Sequence, residues 1–316
     1  MHEERTDKNC KKKQTNVKKK QNSNLLPYML LAFGLLCIGW SAIFVKLANV
    51  SGLASAFYRM AIATAAITPI WFCRPKTKIS IKALKAAALC GLFFGCDIAL
   101  WNTSIMLSKA AIATLLANLS PVWVGIGAVL ILKEKLKLVF WIGTAIALIG
   151  VVFIIGFDLV LHTNLSLGST LAIGASVFYA GYLLTTQKVR NTLDTVSFTA
   201  ISMLASTIVL LFFCLFAGVK LSGYSTHSWL SLAGLGLISQ LGGWLAINSA
   251  LGHIKSTAAS VTLLSQSVVT ALIAIPVLGE TLSFAEIMGA VVVLLGIFLV
   301  NRRNSFAKSQ IEPEYD

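Results

Sequence analysis

Residues 109–134, KAAIATLLANLSPVWVGIGAVLILKE, and residues 255–280, KSTAASVTLLSQSVVTALIAIPVLGE, are two copies of one unit. Each opens on a lysine and a string of small residues and crosses an apolar stretch. Each closes on a glutamate followed two residues later by leucine, Glu134 with Leu136 and Glu280 with Leu282. One shift, 255 − 109 = 146, relates them, and it also carries Asn102 onto Asn248, Gly143 onto Gly289 and Gly150 onto Gly296. Agreement at this many positions without a gap marks a tandem duplication, whose function is expected between the copies.

The composition says what surrounds those copies. Of 316 residues, 57% are hydrophobic and 12% charged, about half the charge of an average soluble domain, so the surface is not built for water. Apolar runs of about 20 residues match the roughly 30 Å hydrocarbon layer of a bilayer. In lipid each backbone amide must be satisfied within its own segment or a closed barrel, and apolarity without period-two alternation excludes the barrel. The reading is an all-α polytopic membrane protein of ten transmembrane helices, at 27–47, 52–72, 83–105, 109–131, 138–156, 168–187, 195–218, 227–251, 255–278 and 281–300. Residues 27–156 form the first five-helix repeat and 168–300 the second, flanked by a basic, unstructured 1–24 and a tail at 301–316. The six cysteines show no Cys-x-x-Cys spacing and read as packing residues, with no metal site.

Charge sets the orientation. With the N-terminus inside, twenty-two of the 26 basic residues fall in cytoplasmic segments; Lys46, Lys109 and Lys220 lie outside, and Arg59 lies within a span. This asymmetry places both termini in the cytoplasm and the chain in the cell (inner) membrane. An odd number of spans per repeat sends Lys109 and Lys255 to opposite faces, so the two repeats are inverted. Such pairs let secondary transporters open a central site to each side in turn.

With Phe57-Tyr58-Arg59 early in the second span, the small residues after Lys109, Pro121 in mid-span and the LxLKEKL and PVLGETL endings, the chain resembles the EamA-type branch of the drug/metabolite transporter superfamily. The likeness covers about 27–300 and implies two inverted five-helix repeats and export of amino acids or other small polar metabolites. One position departs from it. Ser267 stands where the shift carries Pro121 and where the family often has proline, so equal bending of the fourth and ninth spans is not expected, and Pro276 would move the second break toward the end of its span.

Asp97 is the one carboxylate deep in a span, where a charge costs about 2.5–3.5 kcal/mol. Arg59 matches its depth, so a buried ion pair, a gate, and a carboxylate that binds a proton or a substrate amine are all open readings. Trp101, one turn beyond Asp97, is either an interface anchor or a cation–π wall for an ammonium group. Asn118, Tyr179, Tyr182, Gln240, Trp244 and Gln266 are expected to line a cavity. Asn102 and Asn248 read as caps or turn-makers. Glu134 and Glu280 read as acceptors for the start of the next helix, or as members of gating salt bridges. Gly91 and Gly95 read as a close-packing pair.

No Gly-x-x-x-x-Gly-Lys-Ser/Thr loop, His-Glu-x-x-His or nucleophile–base constellation is present, so no cofactor, catalytic site or nucleic-acid partner is expected. The energy source would be proton or exchange coupling. Import or exchange of larger solutes such as nucleotide derivatives is disfavoured by a single intramembrane cation. A non-transporting membrane interaction protein is the remaining alternative.

Overall fold

The structure is a computed structural model that describes residues 25–74, 79–107, 110–155, 166–278 and 283–309. The basic segment 1–24, Lys109, and Glu280 with the role expected of it lie outside the described residues. All regular elements among the described residues are helical. In order they are α1 (Leu25–Ala48), α2 (Gly52–Phe72), α3 (Ile81–Leu107), α4 (Ala110–Ala117), α5 (Ser120–Leu130), α6 (Leu138–Ile155), α7 (Leu167–Val189) and α8 (Thr195–Phe216). Then follow α9 (Thr226–Leu251), α10 (Ser256–Leu263), α11 (Gln266–Leu278) and α12 (Phe284–Ser309). Eight candidate membrane spans and the two shorter apolar stretches Leu115–Leu130 and Leu138–Ile154 account for the expected ten. The last helix runs past the expected end at 300 to Ser309.

The ends of the helices are written in the sequence. The hydroxyls of Ser51, Ser80, Ser166 and Ser225 accept from backbone N–H groups three residues on, at 3.1–3.3 Å. At Asp194, Oδ1 accepts from Val196 and Ser197, both at 3.1 Å. Each bond satisfies an N–H that the first turn of a helix leaves without a partner. Ser283 and Glu286 satisfy each other's backbone N–H at the start of α12.

Packing follows the duplication. α6 lies along α12, its counterpart in the other repeat, and α2 packs on its counterpart α8, where the hydroxyls of Thr64 and Thr207 meet at 3.0 Å. The pairings of α3 with α7 and α8 recur as those of α9 with α1 and α2. The glycines that carried the repeat mark the axis. A Cβ at Gly143 would lie 2.9 Å from the Gly296 carbonyl oxygen, and one at Gly150 would lie 2.7 Å from that of Gly289. Residue number rises along α6 as it falls along α12, so the helices are antiparallel and the repeats inverted. The outer faces carry exposed apolar side chains, such as Phe212 and Phe216 on α8 and Leu294, Leu295 and Phe298 on α12, as a lipid boundary requires.

One expectation fails. The fourth span breaks at Asn118–Leu119, with Pro121 in the first turn of α5. The ninth breaks at Leu264–Ser265, the equivalent place, although Ser267 replaces the proline. Short-range bonds close the chain there: the N–H groups of Leu264, Ser265 and Ser267 reach carbonyls three residues back, and the Ser265 hydroxyl donates to Thr262 O at 2.7 Å. Tight turns and a serine hydroxyl interrupt the ladder as a proline does. Pro276 sits inside α11 without ending it.

Two tests follow. Gly150→Leu is expected to cost about 1–3 kcal/mol through overpacking at the axis, read as a lower melting temperature in detergent. At Asp194 burial alone would raise the carboxyl pKa, but hydrogen bonds from Ser197 and Val196, with Arg74 at 3.7 Å, hold it below its usual value. Folding therefore favours the charged form; its contribution is present above the unfolded value of about 3.9 and is lost as pH falls through the lower folded value. Asp194→Ala is expected to cost about 0.5–2 kcal/mol at neutral pH, and its gap from the wild type should close when melting is followed below about pH 4.

Candidate functional site

The central site is built by α2, α3, α7 and α9. Arg59 of α2 is 7% exposed, and its Nε donates to Gln240 Oε1 of α9 at 2.8 Å. Asp97 of α3 lies near enough to interact electrostatically with Arg59 and Tyr179. No hydrogen bond or ion pair within 4 Å reaches it from the described residues. Of the open readings, the direct Arg59–Asp97 ion pair is not formed: Arg59 bonds Gln240 instead. Asp97 is only part-buried. Trp101, one turn along α3, is part-buried as well.

Below these charges lies an aromatic block. Phe94 stacks on Tyr182 at 4.5 Å, and Trp244 meets the edges or faces of Phe94, Tyr182 and Tyr179 at 4.5, 5.4 and 6.0 Å. Tyr182 is buried and its hydroxyl donates to Asn248 Oδ1 at 2.7 Å, while Asn248 Nδ2 donates to Thr199 at 3.3 Å. Tyr182 and Asn248 are therefore a tie between α7, α8 and α9, and Asn248 is no helix cap. Asn102, its repeat partner, is buried against Gly52 at the start of α2. Tyr179 stays part-exposed on the Asp97 side. Phe94 carries no polar signal, which is why periodicity alone does not single it out.

The fourth-span break reaches the helix that follows the ninth-span break: Asn118 Nδ2 donates to Ser267 Oγ at 3.4 Å, and Gln266 lies beside this contact, part-buried. The two ends of the bundle differ in closure. In α10, Val261 and Leu263 are buried, and Leu264 follows them; their equivalents Leu115, Ala117 and Asn118 are part-exposed. The packed end also carries a cross-repeat ion pair. Lys255 Nζ lies 3.3 Å from Glu134 Oε2, with side chains 60% and 14% exposed. That oxygen makes no aligned hydrogen bond, so Lys255 neutralises it by charge alone. Glu134 therefore does not serve the start of the next helix. It faces the lysine that opens the other copy of its own repeat, a partner that the constant shift could have suggested.

The chain matches the profile of the EamA-like transporter family over residues 25–156 and 166–302. A protein of Clostridium kluyveri described as an uncharacterized transporter is 25% identical over 227 residues, which cover 70% of this chain and 73% of that one. A solved crystal structure superposes with a TM-score of 0.73 over 88% of this chain and 98% of the other at 15% identity, a likeness of fold.

With Lys255 largely exposed, its pair with Glu134 is expected to contribute roughly 0.2–1 kcal/mol. Lys255→Glu should lower the melting temperature, and adding Glu134→Lys should restore most of it; a double-mutant cycle reads the coupling.

Proposed function

Because the chain belongs to the EamA-like transporter family, we propose that it carries small polar metabolites, amino acids above all, outward across the cell membrane by alternating access. The observation that carries this reading is the central pair of opposite charges that do not neutralise each other by contact: Arg59 bound to Gln240, and Asp97 part-open and without a direct partner. A solute with both an ammonium and a carboxylate group complements such a site. The aromatic rings of Tyr179 and Trp244 offer it an apolar wall.

The inverted halves supply the moving parts. Two like bundles that meet along glycine surfaces at α6 and α12 can exchange their arrangements, which opens the site at one face as the other closes. By the distribution of basic residues, the face with Lys255 and Glu134 is cytoplasmic in this reading, and the described arrangement is the one closed on that side. A proton carried on Asp97, or exchange against a second solute, supplies the energy.

Proteoliposomes loaded with a mixture of amino acids should take up labelled amino acids by counterflow. Asp97→Asn should reduce that rate by at least about tenfold, equivalent to about 1.4 kcal/mol, with monodispersity and melting temperature retained. Unchanged counterflow in Asp97→Asn would remove Asp97 from the mechanism; no counterflow by the wild type would overturn the substrate class.

A further inference from the structure

We propose that Arg59 and Gln240 together seat the anionic end of the substrate, a carboxylate, and that a single residue inserted into α9 puts Gln240 in place. This deepens the transport reading and rests on it.

The insertion can be read from the repeat. The caps of the equivalent helices α3 and α9, Ser80 and Ser225, differ by 225 − 80 = 145, whereas Asn102 and Asn248 near their far ends differ by 248 − 102 = 146. One extra residue therefore lies between them in the second copy. α3 is α-helical throughout, but α9 contains a nine-residue π-helix, Leu235–Gly243. A π-turn bonds each N–H to the carbonyl five residues back instead of four, which is how a helix absorbs one added residue and resumes its former face. Gln240 lies within that segment.

The fold itself does not require the polar pair. The caps of α2 and α8, Ser51 and Asp194, are related by 194 − 51 = 143, which carries Arg59 onto Ser202. The packing agrees. A Cβ at Gly91 would touch the Ser202 carbonyl, as one at Gly236 would approach that of Arg59. The positions equivalent to Gln240, by either shift, are Phe94 and Gly95. The first copy thus builds the same helix contact with no guanidinium or amide.

What the pair lacks is an acceptor. Gln240 is fully buried and its Nε2 has no hydrogen-bond partner among the described residues. Arg59 spends only Nε on Gln240, which leaves its terminal nitrogens, and no carboxylate of the described residues lies within 4 Å of them. A buried amide donor held by one 2.8 Å bond beside a guanidinium with donors to spare matches the two oxygens of a carboxylate. Asp97 then remains for the cationic end.

The test uses the full-length protein in proteoliposomes, with counterflow of labelled amino acids as the signal. The competitors share one skeleton: 4-methylpentanoate, which has only the carboxylate, and isoamylamine, which has only the amine. In the wild type both should inhibit. Gln240→Leu should raise the concentration of 4-methylpentanoate needed for half-inhibition by at least about tenfold, as for the loss of a hydrogen bond to a charged group, and leave that of isoamylamine unchanged. Where Gln240→Leu fails to fold or to transport, Gln240→Asn, one methylene shorter, is compared in the same way, and both variants are titrated with the two competitors by thermal shift. Equal shifts for both competitors, or none for 4-methylpentanoate, overturn the carboxylate seat while transport stands. Absence of any amino-acid counterflow in the wild type overturns the seat and the transport reading together.

Discussion

The two halves approach closely glycine on glycine, Gly143 against Gly296 and Gly150 against Gly289, and the rest of the bundle depends on it. In lipid there is no hydrophobic drive to bring two helices together, because a lipid tail is as apolar as leucine; contact has to come from dispersion between closely fitted backbones. Four positions without side chains allow that fit along α6 and α12. Since each helix is the repeat image of the other, the contact also fixes the axis about which every other pairing is repeated. The contact of Asn118 with Ser267 and the threonine pair of α2 and α8 also join the two halves.

Around that symmetrical frame the chemistry is unsymmetrical. Arg59, Asp97 and Gln240 have no like partners in the other copy, and the aromatic block of Phe94, Tyr182 and Trp244 gathers on one side of them. A frame assembled twice from the same plan leaves its interior residues free to differ. Membership of a transporter family therefore says much about the scaffold and little about the load.

The scaffold was legible because its signals are long and redundant: apolar runs of bilayer length, repeated glycines and a glutamate that closes each unit. The equal breaks of the fourth and ninth spans were not, since the rule available was proline and the second break is made by short-range backbone turns with Ser265. Matching the depth of Arg59 to that of Asp97 brought both to the centre but chose the wrong immediate partner. Depth along a helix is set by residue count, whereas direction around it turns by about 100° per residue, and a π-segment changes that turn locally. Its trace in the sequence is a difference of one between two repeat shifts, visible only when the caps and the asparagines are compared separately. Lys255 lies on Glu134 because the repeat brings the opening of one copy to the close of the other.

Arg59 and Asp97 also bear on voltage. In the proposed cycle, with both side chains ionised, the centre has a fixed charge of zero, and a zwitterionic solute would add none. A transmembrane potential exerts about 2.3 kcal/mol per elementary charge per 100 mV, so it has nothing to pull on in the empty or the loaded centre. Under the proposed exchange such a carrier would cycle electrically silent, whereas a proton carried on Asp97 would leave Arg59 uncompensated and add one charge to the centre, so the dependence of rate on membrane voltage separates the two couplings.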